Sequence, residues 1–239
     1  NNLLTYTYDE FGNLNATIDA LGNVTRLAYD TRGRKVSMID PDMGTWSYFY
    51  NALGELIRQT DAKGQTATMA YDLLGRMRVR TEADLVSTWT YDSCAMGIGK
   101  LCQTSATNGY SRATTYDSLG RPATLSSTID TTYNVTTSYV ASGVHTGKID
   151  TLTYPTGFAV QYVYKPHGPL WKVQRADAGG STVFWTANAK NASGQVTSEL
   201  LGNGLTQTHT YDALDRVLGV DAASFGAGSV HNLAYSYDP

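Results

Sequence analysis

Charge is scarce in this sequence. Asp, Glu, Lys and Arg make up 16% of it and sum to −3, against roughly 25% in ordinary soluble domains. No basic face is available for nucleic acid or an anionic membrane. Histidine is scarce too: His145, His167, His209 and His231 stand apart, without metal-ligand spacing. His145 and His167 fall in turns and read as solvated. His209 alternates with the strand tyrosines and reads as packed. No apolar run reaches the ~18 residues a membrane-spanning helix needs, and no charged-then-apolar leader opens the chain. Phosphate-loop, nucleophile-elbow and dinucleotide fingerprints are missing; "GIGK" at 97–100 lacks the Ser or Thr that must follow. These absences leave no constellation for an enzyme, and no cofactor or metal is expected.

Cysteine occurs twice, at Cys94 and Cys102 in "YDSCAMGIGKLC". Two reduced thiols are one reading. A disulfide across a hairpin tip is the other, since a turn lies between them.

What is abundant is Tyr (17), Gly (23) and a phrase. "YDEFGN", "YDTRGR", "YNALGE", "YDLLGR" and "YDSLGR" recur, at first with a period of 21 residues. The phrase tyrosines are Tyr8, Tyr29, Tyr50, Tyr71, Tyr91, Tyr116, Tyr139, Tyr164, Tyr211 and Tyr237, with Lys190 in the tyrosine position before Tyr211. Most are followed by an acid, among them Asp9, Asp30, Asp72, Asp92, Asp117 and Asp212. Four residues after the tyrosine comes Gly12, Gly33, Gly54, Gly75, Gly120, Gly143, Gly168 or Gly194, and Asp215 after Tyr211. A second family of turns lies between these, as at Gly22, Gly64, Gly109, Gly157 and Gly204. Two later copies have longer tips, both ending in Gly-Lys: Gly99-Lys100 and Gly147-Lys148. The register nevertheless persists. The chain reads as one continuous array over 1–239, regular over 1–125 and degenerate with longer turns over 126–239.

Asp-x-x-Gly encodes a turn. The carboxylate accepts main-chain N–H groups beyond it, and Gly supplies the left-handed residue after a type I turn. About five or six residues separate successive turns, the usual length of a strand. Two residues before the phrase tyrosine stand Tyr6, Leu27, Tyr48, Met69, Trp89, Tyr162 and Tyr235, alternating with small or β-branched residues. That alternation predicts an antiparallel hairpin strip with one large-residue face. Tyrosine rings are expected to stack on one another across strands. Roughly 22 strands at about 4.8 Å make a strip on the order of 100 Å long. Twist makes so long a sheet wind or split.

The repeated phrases resemble the YD repeats of the Rhs family, which includes bacterial polymorphic toxins, the cocoon-forming components of Tc-type toxins, and teneurins. The likeness spans nearly the whole chain and is strongest over residues 6–125. It implies an all-β strip winding into a curved or hollow shell. In toxin members such a shell encloses a C-terminal toxic polypeptide until delivery. The implied partners are the rest of the same shell, an enclosed toxin polypeptide and a delivery machine. The implied location is outside a bacterium or on its surface. The self-cleaving segment that follows the repeats in such proteins has no counterpart here, since Asp238-Pro239 reads as one more turn, so no catalytic residue carries over. The chain starts and stops within repeats and reads as a piece of a longer polypeptide. A second reading, a surface module for carbohydrate, rests on the Tyr-, Trp- and Thr-rich strands of low charge.

Overall fold

In the computed structural model, residues 3–176, 182–224, 226 and 228–238 are described; Pro239 lies outside them. The described residues contain 21 β-strands and no helix. Every strand pairing seen among them is antiparallel and joins neighbours in sequence. The chain separates into two compact units. One holds residues 1–120 and 127–132, the other 121–126 and 133–239.

The first unit is a meander of β1 (Thr5–Tyr8), β2 (Leu14–Ile18), β3 (Val24–Tyr29), β4 (Lys35–Asp40), β5 (Gly44–Tyr50), β6 (Leu56–Thr60), β7 (Thr66–Tyr71), β8 (Met77–Thr81), β9 (Val86–Tyr91), β10 (Leu101–Ala106) and β11 (Ser111–Tyr116). β12 (Pro122–Thr128) divides between the units. The second unit is a meander of β13 (Thr132–Tyr139), β14 (Ile149–Thr153), β15 (Ala159–Tyr164), β16 (Leu170–Arg175), β17 (Val183–Lys190), β18 (Val196–Leu201), β19 (Leu205–Tyr211), β20 (Val217–Ser224) and β21 (Ser229–Ala234).

Seven apolar residues are buried among the described residues, four of them alanine, and no polar residue is. No large side chain is fully enclosed. Each meander is therefore a single layer. A layer without a second sheet has no interior, so its stability rests on ladder hydrogen bonds, cross-strand pairs and corners.

Register shifts recur at the phrase tyrosines, with a few elsewhere, as at Val173/Gln174 and Ala222/Ala223. The shift falls beside Tyr8, Tyr29, Tyr50, Tyr71, Tyr139, Tyr164 and Tyr211, and beside Lys190 in the copy without tyrosine. The turns between phrases carry the same hydrogen bonds and left-handed glycine without a shift, as at Asp61 and Gly64, so the bulge accompanies the tyrosine and not the turn type. The loop over 41–43 is tighter than the other turns between phrases, with Asp40 paired directly with Gly44. That copy has its glycine one residue later relative to the tyrosine, and its loop differs accordingly.

Candidate functional site: the repeated corner

Each corner is built from its first residue. Asp30 Oδ1 accepts the backbone N–H of Arg32 at 2.9 Å and of Arg34 at 3.0 Å. Its Oδ2 accepts Arg34 Nε at 2.7 Å. Asp9, Asp72 and Asp212 repeat the pattern with Asn13, Arg76 and Arg216. Asn51 reverses the polarity. Its Oδ1 still accepts two backbone N–H groups, but its Nδ2 donates to Glu55 Oε2 at 2.5 Å. Asn191 likewise donates to Gln195 at 2.6 Å. A donor four residues on accompanies Asp, and an acceptor accompanies Asn.

These bonds set the acidity of the corner. The Arg34 side-chain bond is the largest influence holding the Asp30 carboxyl down to about 2, followed by the Arg34 backbone N–H. Asn13 lowers Asp9 in the same way. These half-buried carboxylates are thus kept charged by local hydrogen bonds that outweigh their desolvation.

Gly12 ends the first turn at φ +83° with nothing near the place a Cβ would occupy. Only backbone conformation demands glycine there. Asp215 takes the same role at φ +63°, which Asp tolerates better than most residues.

The corners are coupled to one another. The Tyr50 hydroxyl donates to the Lys35 carbonyl of the preceding corner at 2.8 Å. Tyr29, Tyr71, Tyr116, Tyr139, Tyr164, Tyr211 and Tyr237 do the same to Leu14, Leu56, Leu101, Pro122, Ile149, Val196 and Val217. Each acceptor lies two residues beyond the left-handed residue of the previous corner. In six copies the residue directly after the left-handed one supplies a cation for the next phrase tyrosine's ring. Arg34 lies 4.8 Å over Tyr50, Arg76 4.4 Å over Tyr91, and Lys100 4.5 Å over Tyr116. Arg121 lies 4.0 Å over Tyr139, Lys148 4.8 Å over Tyr164, and Arg216 4.5 Å over Tyr237.

Eight phrase tyrosines are therefore held at the hydroxyl by a carbonyl, and six have a cation at the face, which for Tyr91 is the one grip seen among the described residues. The expected tyrosine-on-tyrosine ladder does not form among the described residues. The phrase tyrosines are two strands apart, and the guanidinium or ammonium of the previous corner fills the space over the ring. These cations were the signal missed in the sequence. They stand openly in "GR" and "GK", directly after the turn glycine, where the glycine draws the reading.

The long tips keep the same output by other means. In the first, Asp92 has φ +65° and accepts Arg76 Nη2 at 2.6 Å and Gly99 N at 2.6 Å. Lys100 donates to the carbonyls of Met96 and Gly120. The Sγ atoms of Cys94 and Cys102 lie at bonding distance, 2.08 Å, with Cα atoms 5.7 Å apart. Gly97 sits against both sulfurs, so tightly that a Cβ there would clash. In the second tip Lys148 donates to the Gly168 carbonyl.

The histidines divide differently from expectation. His167 is exposed, but His145 packs 5.3 Å from the Tyr164 ring. His209 Nε2 lies 3.3 Å from Glu199 Oε1, which also meets Gln207 at 3.0 Å, while Glu199 Oε2 accepts Trp185 Nε1 at 2.6 Å. This is a partnered polar cluster without a nucleophile. No group of three candidate metal ligands occurs among the described residues.

Residues 8–43 and 50–85 match the RHS Repeat family model. These stretches are RHS repeats. No curated protein sequence matches the chain. Solved structures do. The chain aligns over its full length with TcdB2-TccC3, at TM-score 0.76 and 18% identity. It aligns equally with TcdB2-TccC3 lacking the hypervariable C-terminal region, at 0.77 and 18%. A Tc holotoxin pore of Photorhabdus luminescens gives 0.65 and 17% over 99% of the chain. The chain spans only 13–14% of those structures' own length. At this identity the likeness concerns the fold alone: a meander of antiparallel hairpins.

Proposed function

We propose that this chain is a structural segment of the wall of an exported, Rhs-type toxin shell, and that the wall encloses a C-terminal toxin polypeptide. The observation that carries the reading is the corner-to-corner grip. From Tyr29 onward each phrase tyrosine is tied to the corner before it by its hydroxyl, a cation or both, so the repeats propagate a strip without a core. The likeness to TcdB2-TccC3 and to a Tc holotoxin pore supports the same reading.

The two units act as one continuous array on this reading. The tyrosine, aspartate and glycine positions of the phrase are structural, with none in a catalytic role. The tips of the first unit present Phe11, Leu53, Leu74, Ile98 and Leu119 to solvent, each 71–89% exposed. An apolar rim of this regularity is what an edge meant to abut more wall requires. Cys94 and Cys102 form a disulfide in an oxidising location outside the cell. No helix among the described residues is long and apolar enough to cross a membrane.

The test uses the full-length natural polypeptide. Its particle envelope, together with protease digestion, is expected to reveal a hollow wall and a protected C-terminal segment. A solid or unwound particle, or a C-terminal segment cut as fast as an isolated peptide, overturns enclosure.

A further inference from the structure

We propose that the second unit binds a small anionic phenol, in the space where one copy of the repeat lacks its tyrosine. The hollow there measures about 280 Å³, just under the roughly 300–1,000 Å³ of drug-sized pockets, so it takes a single ring. It lies within the second unit and does not depend on the shell reading.

Three replacements open it. Lys190 stands in the tyrosine position. Pro169 follows Gly168, where six other copies place Arg or Lys over the next ring. Ala187, only 4% exposed, stands where Tyr48 and His209 stand in their copies. The ladder fixes that correspondence. Tyr48 pairs three residues beyond Leu56, the partner of Tyr50, and Ala187 pairs three beyond Val196, the partner of Lys190. Asn188 is an extra residue, left out of the ladder by a bulge. A ring, its cation and a large neighbour are thus missing together. The surface that remains is apolar, from Pro169, Leu170, Ala187 and Ala189, with Lys165 and Lys190 beside it.

The other copies state what fits. In eight of them a phenol donates its hydroxyl to the carbonyl two residues beyond the left-handed residue. The residue at that position here is Leu170, which lines the hollow. The ammonium groups of Lys165 and Lys190 make no hydrogen bond or ion pair among the described residues.

The two lysines select the rest of the ligand. No carboxylate lines the hollow among the described residues. Glu199, opposite Ala187, spends its oxygens on Trp185, Gln207 and His209. Two unpaired ammonium groups attract an anion and suit a ring face. They repel an organic cation. A guest without a hydroxyl leaves the Leu170 carbonyl to water, and a guest of two rings exceeds the space. A hydroxyphenyl acid uses every feature: hydroxyl to carbonyl, ring over alanine and proline, carboxylate to lysine.

The experiment titrates the whole chain with 4-hydroxyphenylacetate, read by saturation-transfer NMR and by calorimetry. A Kd on the order of 1 mM is expected for so small a ligand. Phenylacetate lacks the hydroxyl, and tyramine carries a cation in place of the carboxylate. Each is expected to bind at least about fivefold more weakly. Lys190→Tyr returns a ring to the copy and is expected to abolish binding. Lys165→Met is expected to weaken it about threefold, and it carries the test if circular dichroism shows Lys190→Tyr unfolded. Lys63→Met, at an exposed turn of the first unit, is expected to leave binding unchanged. No binding at about ten times the expected Kd, equal binding of phenylacetate, or undiminished binding by either folded variant of the hollow overturns the proposal.

Discussion

The corner at residues 29–34 and the tip at 91–100 hardly resemble each other. The first is a tight Asp-x-x-Gly turn fastened by one carboxylate. The second is a loop of greater length with two non-glycine residues, Asp92 and Met96, at positive φ and two sulfurs at bonding distance. Both deliver the same product: a cation above the next tyrosine and a carbonyl at its hydroxyl. The tip at 139–148 does so again without cysteine. The turn chemistry is therefore replaceable, whereas the grip on the next ring recurs. In a single-layer sheet the interactions between neighbouring corners do work that a core does elsewhere.

The two tips differ most in how they are fastened. Replacing Cys94 and Cys102 by Ser removes a short loop closure, for which chain entropy gives about 2.5 kcal/mol. Thermal unfolding of the oxidised chain is expected to show this loss, and reductant is expected to have no further effect on the variant. Mass spectrometry without reductant is expected to find the two cysteines in one linked peptide. Free thiols in protein recovered from its natural compartment would sever the tip from this account.

The tight corner is attacked through its backbone. Gly12→Ala meets no neighbour, so its expected cost of about 1 kcal/mol is the left-handed conformation alone. Asp215→Gly is expected to stabilise by up to about 1 kcal/mol for the converse reason. Chemical denaturation of both variants checks the pair; equal and same-signed changes would remove the conformational argument.

The shared output is attacked through the cation. Lys148→Met keeps the side chain's length and removes its charge, with an expected loss of about 0.5–1 kcal/mol. Tyr164→Phe keeps the ring and removes the hydroxyl bond to Ile149. A double-mutant cycle separates the two grips, and strict additivity would show them independent.

Acid gives the smallest effect per corner. The folded-state acidity of Asp30 is about 2 against an ordinary 3.8. A lowered folded value means the contribution is present above the ordinary value and lost as pH falls toward 2. The melting temperature is expected to hold level above pH ~5 and to drop between pH ~4 and ~2, less steeply in Asp30→Asn. A Tm that stays level down to pH ~2 would show that corner carboxylates add nothing to folding.

Much of this was legible in the residues. Asp-x-x-Gly states the turn, because few sequences supply an acceptor at its start and a left-handed residue at its end. Alternation around Tyr48 or Met69 states strand and face. The role of the phrase tyrosine was misjudged, because periodicity reports which residues share a face and not what lies over a ring.

By itself, the period of the sequence determined an all-β antiparallel meander, its corners and its register, since turn geometry and strand alternation are local properties of a few residues. Only the tertiary structure decided what each corner touches. The distance from Arg34 to Tyr50 and the reach of the Tyr50 hydroxyl to the Lys35 carbonyl depend on how twist and bulges aim side chains from separate strands. That aim is set by the whole sheet.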